Sequence, residues 1–444
     1  MSDYVYMLES HLNPDQNRVV EEVRKAAAEA NVNLFLTGGA MRDMLAGFRI
    51  RDLDFVVEGP ALKLAKSLTE RSGAKALSLD EINRSADLLF PGGVTVELAT
   101  SRRERIAKSA KSATAPATIQ EDLRGRDFTC NAIALSLNRA SRGLLLDPMN
   151  GLADIGHREL RAISAYGFYD DPSRLLRLIR FRVRLGFAVE ERTAMQVANA
   201  REAEVEKSIP AAALGEELKR IALEDSPSEI LKGLEEAGLT TLFSPLLAGP
   251  KLNLAGIAKL EKLARLFPDD ALSRASRVGP FLYVLAEKLT VKERPALVKT
   301  TALSKPDVEL WQKLEARSKK LETALRSARV RKASQVYRLV STAHPDEVLF
   351  LLYRSALKPV QERLRNYFQK YLLTVQEITP EEWATVEGKP GTPRYAKAKD
   401  DFVANRLDRR VKKPAVPEEP APPPPPPPPS SWTTPQTALA RRAR

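Results

Sequence analysis

The spacing of apolar and polar positions changes several times along the chain, and each change predicts a different element. Residues 14–30 (PDQNRVVEEVRKAAAEA) read as a helix. An apolar run from Leu34 then ends in the pair Gly38-Gly39. A helix-like segment covers residues 40–46, and a short basic turn leads into Asp52-Leu53-Asp54 and the apolar run Phe55-Val56-Val57. Residues 61–71 form a strong amphipathic helical pattern, and weaker strand candidates lie at 76–79 and 86–90. In residues 94–100 (VTVELAT), Val94, Val96 and Leu98 alternate with Thr95 and Glu97, as in a strand with one face buried. Residues 101–120 are basic, rich in small residues and nearly free of large apolar groups. They read either as a mobile loop able to close over a nucleotide or RNA, or as a plain surface loop.

Asp127 can cap the segment that follows it. Asp171-Pro172 opens a helix with proline at a permitted first-turn position. On that helix Arg177, Arg180 and Arg184 share a narrow face, with Arg174 at its edge. From about 200 to 390 the period is helical throughout. Leu260, Leu263 and Leu266 form one stripe, Leu310, Leu314, Leu321 and Leu325 a second, and Val360, Leu364, Phe368 and Leu372 a third. Beyond about 395 the periodicity fades, and an unbroken proline run covers residues 422–429, so residues 395–444 are expected to be disordered or polyproline-II. The predicted class is α+β: a small mixed-sheet head (1–155), a helical neck (156–215), a helical body and tail (216–394) and the proline-rich end (395–444).

Composition sharpens this. The 444 residues carry 70 Lys and Arg against 57 Asp and Glu, a formal net charge of +13. That excess favours a polyanionic partner. Exposed positions of the body, Arg317, Lys319, Lys320, Arg326, Arg329, Arg331 and Lys332, offer a track for an RNA backbone. A single cysteine, Cys130, excludes an internal disulfide framework. No apolar run approaches the ~20 residues that span a bilayer, and the N-terminus lacks a secretory pattern. The expected compartment is the cytoplasm, with no membrane partner.

The candidate chemistry lies at Asp52 and Asp54. Alternation puts both on one face of a strand with Leu53 turned inward. Adjacent carboxylates repel unless a cation lies between them, and an all-oxygen, carboxylate-rich set suits Mg²⁺. Glu97 is a candidate third carboxylate, or an exposed strand glutamate. Gly38 and Gly39 allow backbone N–H groups close to a phosphate. The arginine stripe is either a solvated helix face or, behind an acidic start in a phosphate-handling protein, a nucleotide-facing wall.

Three motifs then stand in order over residues 30–190: GGAMRD (38–43) with DLD (52–54), RGRDFTCNA (124–132) and DDPSRLLRLIRF (170–181). Together they resemble the signature of the class II tRNA nucleotidyltransferase and bacterial poly(A) polymerase family. The resemblance implies a catalytic head that holds metal and triphosphate at Gly38, Gly39, Arg42, Asp52 and Asp54. It implies ribose and phosphate contacts at Arg126, Asp127 and Asn131, and a protein "template" at Asp171 and Arg174 that pairs with the incoming base. Arg177 and Arg180 resemble residues supporting that base and its phosphates. The third motif usually begins with glutamate, and here that position is Asp170.

The implied reaction is template-independent addition of CCA to a tRNA 3′ end from CTP and ATP with two Mg²⁺ ions. Rivals are a poly(A) polymerase, a CC-only or A-only enzyme, and a catalytically silent RNA-binding protein. Some relatives add a metal-dependent phosphohydrolase domain, but His11, His157 and His344 are scattered here with no His-Asp pair. Between CCA and poly(A), two features favour CCA. Residues 58–90 lack the Gly-Arg/Lys-Arg/Lys-Phe run typical of bacterial poly(A) polymerases, and residues 102–120 are long enough to resemble the element used in switching from C to A.

Overall fold

The computed structural model describes residues 3–105, 113–268, 274–389 and 391–409, and it divides into two compact units, Met1–Leu373 and Thr374–Arg444. The head is built on a seven-stranded mixed sheet. Its strands are β1 (Asn33–Thr37), β2 (Leu53–Glu58), β3 (Lys75–Asp80), β4 (Ser85–Leu89), β5 (Thr95–Thr100), β8 (Ala134–Ser136) and β9 (Leu145–Leu146), in the order β3-β4-β5-β2-β1-β8-β9. Only the β2–β5 pair in that sheet is parallel.

Strand alternation sorts the two faces. Leu34, Leu36, Leu53, Phe55, Val57, Leu88, Val96 and Leu98 join one buried cluster with α2 (Pro14–Glu29), α3 (Gly38–Leu45) and α4 (Ala61–Arg71), after the short α1 (Asp3–His11). Phe35 and Val56 face the other way, onto Ile119 and Leu123 of α5 (Ile119–Arg124). Helix α2 starts where the sequence says it should. The Asn13 side chain accepts from the Gln16 amide at 2.8 Å, the Gln16 side chain accepts from the Asn13 amide at 3.0 Å, and Pro14 follows the cap.

Two expectations are corrected here. The stretch 102–116 is not a plain loop, because β6 (Arg102–Arg105) pairs antiparallel with β7 (Ala113–Pro116); residues 106–112 lie outside the described residues. The sequence Arg102-Arg103-Glu104-Arg105 has no apolar alternation, so the period carries no strand signal there. Nor does order end at 395. Pro393–Asp408 is a helix, capped by the Thr392 side chain on the Tyr395 amide at 3.3 Å and started by Pro393. The unit boundary falls instead at Thr374, and the proline run lies outside the described residues.

After α6 (Gly151–His157) and α7 (Gly167–Asp170) comes α8 (Arg174–Leu185), flanked by the parallel pair β10 (Glu159–Leu160) and β11 (Ala188–Val189). Helix α8 is shared between two cores. Leu175, Leu178, Phe181 and Leu185 belong to the head cluster, whereas Leu176 belongs to the cluster of the helical body. It ends at Gly186, which takes φ +64°, a left-handed cap that suits glycine. Helices α9 (Glu191–Glu202) and α10 (Ala211–Ala222) lead into the body.

The leucine stripes are core, as the period predicts: Leu260, Leu314, Leu321, Leu325, Val360, Leu364 and Phe368 are all buried, while Leu266 is 40% exposed. Of the basic positions, Lys319, Lys320, Arg326, Arg329, Arg331 and Lys332 are exposed, but Arg317 is tied to the fully buried Asp346. His344 also meets Asp346, with 2.5 Å between His Nδ1 and Oδ1, so a His-Asp contact does exist, at the start of the helix Pro345–Arg354. Among the described residues no helix is long and apolar enough to cross a membrane.

Candidate active site

The open face of the sheet gathers the acidic residues. Parallel pairing of β2 with β5 sets Asp54 opposite Glu97, and antiparallel pairing of β4 with β5 sets Asp87 on the other side of Glu97. Asp52, just before β2, accepts from the Thr95 hydroxyl. Asp54 Oδ2 accepts from the Gly39 amide at 2.7 Å and the Ala40 amide at 3.3 Å, at the N-terminus of α3. Burial, then Glu97, then Asp52 push the Asp54 carboxyl up to about 7, against the pull of those two amides.

The glycine pair is explained by that contact. Gly38 has φ +60°, and a Cβ there would lie 3.1 Å from Asp54 Oδ2 and 3.2 Å from Arg126 Nη1; one at Gly39 would lie 3.0 Å from Asp54 Oδ2. Both glycines therefore seat the catalytic candidate Asp54, and the Gly39 amide expected to face a phosphate is donated to that carboxylate instead.

Arg126 stands beside Gly38. Its Nε and Nη2 donate to Asp122 at 3.1 and 2.9 Å, Nη2 also to the Thr37 hydroxyl, and Nη1 to the Asn131 carbonyl at 3.2 Å. Asp127 accepts from the Asn131 side chain at 2.9 Å and from Arg177 Nη1 at 3.2 Å. Burial alone would raise the Asp127 carboxyl, but Arg177, Asn131 and the Phe128 amide hold it below the ordinary carboxylate range. Arg177 Nη2 continues to Asp171 Oδ2 at 2.7 Å, and Asp171 Oδ1 accepts from the amide and hydroxyl of Ser173. Arg174 is 3.7 Å from Asp171 at Nε, and that buried Nε has no hydrogen-bond partner. Asp170, by contrast, is exposed.

Two of the expected nucleotide contacts are placed differently. Arg42 is 3% exposed; it donates to Asp43 at 2.7 Å and to the Asn131 side-chain oxygen at 2.8 Å. Arg180 is 4% exposed and held by Glu217 at 2.5 Å and Glu224 at 2.9 Å. The arginine stripe is thus not an open wall. A buried guanidinium must be paired, and α8 finds its partners on both sides: Asp127 and Asp171 for Arg177, Asp43 and Glu224 for Arg184, Glu217 and Glu224 for Arg180.

Sequence reasoning missed Asp43, Asp87, Thr95, Asp122, Glu217 and Glu224. Thr95 was accessible in principle, since alternation puts it on the face of Glu97. The glutamates were not, being 37 and 44 residues from Arg180 with no local pattern.

Glu224 ties the fold's stability to pH. Burial would raise its carboxyl, but Arg184, Arg51 and Arg180 pull it from 4.5 down to about 2. A depressed acid stabilises the fold above its unfolded pKa and loses that stabilisation as pH falls through its folded one. On the order of 3 kcal/mol should therefore disappear between about pH 4.5 and 2. Chemical denaturation across that window should show a steep slope, flattened in Glu224→Gln.

A mixed sheet with an Asp-X-Asp entry to one strand, a glycine turn over its carboxylate and an arginine-rich helix behind defines the class: a nucleotidyltransferase head on a helical neck. Residues 34–161 match the family profile described as the poly A polymerase head domain. The chain is 30% identical over 341 residues to the A-adding tRNA nucleotidyltransferase of Aquifex aeolicus, an alignment covering 76% of this chain and 40% of that protein. It is 30% identical over 296 residues to the CC-adding tRNA nucleotidyltransferase of Deinococcus radiodurans, covering 66% of this chain and 76% of that protein. Against the solved apo form II of a CCA-adding enzyme the identity is 25% and the TM-score 0.52, covering 93% of this chain and 96% of that one. The chain belongs to the class II tRNA nucleotidyltransferase and poly(A) polymerase family. It spans less than half the length of the first curated relatives it matches, 40% to 47%.

Proposed function

We propose that this chain is an RNA nucleotidyltransferase that adds CCA to the 3′ end of tRNA from CTP and ATP, without a nucleic-acid template. The observation that carries the reading is the grouping of Asp54 with Glu97, its register partner, and Asp52: burial first, then those two carboxylates, pushes Asp54 up to about 7. Such crowding fits a divalent cation, which relieves the repulsion. Asp52 and Asp54 would hold Mg²⁺, with Glu97 beside them. The chemistry Mg²⁺ supplies when bound, as two ions in this reading, is to ease deprotonation of the RNA 3′-hydroxyl and neutralise the leaving pyrophosphate.

The chain's own groups do the rest. Gly39 and Ala40 amides orient Asp54, and Arg126, fixed by Asp122, places positive charge next to the glycine turn where a triphosphate would lie. Asp171 Oδ1 is used twice by Ser173 and Oδ2 once by Arg177, which leaves acceptor capacity on Oδ2. That oxygen would accept from the exocyclic amino group of C or A. The guanidinium of Arg174, whose Nε is without a partner, would donate to the adjacent ring nitrogen. U and G offer a carbonyl where the amino group is needed, and the carboxylate would face it unpaired.

The test is a tRNA transcript lacking its last three nucleotides, given CTP and ATP. Addition that stops at C, C, A supports the reading; long adenosine runs with CTP ignored would overturn it. An A-only enzyme is a second reading, favoured by the similarity to the A-adding tRNA nucleotidyltransferase of Aquifex aeolicus. That alternative predicts no extension of the shortened transcript and a single A on one ending in CC.

A further inference from the structure

Helix α8 carries Arg174 at its N-terminal end, just after Asp171, yet its Arg177, Arg180 and Arg184 are spent elsewhere. These three belong to one unbroken polar chain. Asp171 accepts from Arg177, Arg177 reaches Asp127, and Asp127 accepts from Asn131. Asn131 accepts from Arg42, Arg42 pairs with Asp43, and Asp43 pairs with Arg184. The chain closes on Glu224, just beyond α10, which lies 3.8 Å from Arg184, 2.9 Å from Arg180 and 2.8 Å from Arg51.

We propose that Glu224 is a positioning residue for base selection: by holding Arg180 and Arg184 against the head's Arg51 it sets the seat of α8, and through α8 the placement of Asp171 and Arg174. The proposal rests on the template reading of those two residues.

Charge bookkeeping shows why the position matters. At this junction four guanidiniums (Arg42, Arg51, Arg180, Arg184) face three carboxylates (Asp43, Glu217, Glu224). Burial, and next the neighbouring Arg42, already lower the Arg184 pKa to about 10. Neutralising Glu224 would leave two uncompensated cations in a partly dry junction, and the helix bearing two of the arginines must shift to rehydrate them. The fold can survive that shift, because α8 keeps its apolar anchors. Leu175, Leu176, Leu178, Phe181 and Leu185 remain buried, and Phe181 meets Phe128 edge-on at 5.9 Å. A helix held by grease but released from its charge clamp re-seats rather than unfolds. A simple stabilising role would instead change melting and leave selectivity alone.

The experiment measures kcat/KM for CTP, ATP and UTP on a tRNA acceptor, with the melting temperature taken in parallel. Glu224→Gln should lower discrimination against UTP by about tenfold, the scale of coupling carried through packed networks. On an Asp171→Ala background the same change should add no further loss, since it acts through the template. Unchanged discrimination in folded Glu224→Gln, or an additive loss in the double variant, would overturn the proposal. Should Glu224→Gln not fold, Arg51→Gln removes one head-side contact of the clamp, at a side chain 30% exposed, and leaves Arg184 on Asp43. It should shift discrimination in the same direction by about threefold, and no shift would again overturn it. If Asp171→Ala alone leaves discrimination unchanged, the template reading falls. A change there with none in the clamp variants sinks only the role of Glu224.

Discussion

Asp54→Ala should lower nucleotide addition by at least about 10³-fold, the scale of several kcal/mol of lost transition-state charge stabilisation. Asp52→Ala should do the same. Binding of RNA should persist in both, because the exposed basic positions of the body lie on other elements. Folding should persist as well. Asp54 sits at 2.7 Å from one amide, but burial and two neighbouring carboxylates make its ionised form an unfavourable one. Removing it relieves repulsion, so the melting temperature of the metal-free protein should hold or rise. Single-turnover extension of a labelled acceptor RNA in Mg²⁺ is the measurement. Near wild-type extension by a folded Asp54→Ala protein would discard the metal assignment.

Asp171→Ala should damage choice before it damages chemistry. Its carboxylate is anchored by Ser173 and Arg177 rather than by the acidic face of the sheet, so the reacting centre is left as it is. What disappears is the acceptor that makes an amino group preferable to a carbonyl. A polar site left unpaired against the wrong base accounts for about 10- to 100-fold of discrimination, and that factor should be lost between CTP and UTP. Arg177 also loses a partner while keeping Asp127 at 3.2 Å, so part of the effect should appear as a higher KM for every nucleotide. Equal ratios for all four nucleotides in wild type and variant would count against a protein-borne template.

The parts of this molecule that could be read from the sequence are those with a local signal. The strand that opens at Asp52-Leu53-Asp54, the alternation that sets Glu97 on its face, and the helix over residues 61–71 all follow from periods of two or 3.6. Asp54 and Glu97 do become register partners. The arginine stripe was also visible as a stripe, but its meaning was not. Whether Arg180 faces a nucleotide or Glu217 depends on a helix more than thirty residues away, and spacing within α8 carries no trace of it. The same limit hid the clamp on Arg42, whose partner Asn131 is 89 positions distant. The helix Pro393–Asp408 escaped for the opposite reason: it has only Val403 buried, so its period is faint, and a single cap and proline mark its start.

The strand order has a consequence for how the head is made. Strand β1 lies between β2 and β8, and its partner Ser136 follows Phe35 by about a hundred positions. A nascent chain that has already paired β1 with β2 therefore carries one bare edge of a nearly finished sheet until β8 leaves the ribosome. Such an edge is a template for stray strands. Truncations ending before Ser136 should accordingly aggregate rather than yield a smaller folded head, and slowing translation after residue 100 should lengthen the time the protein depends on chaperones.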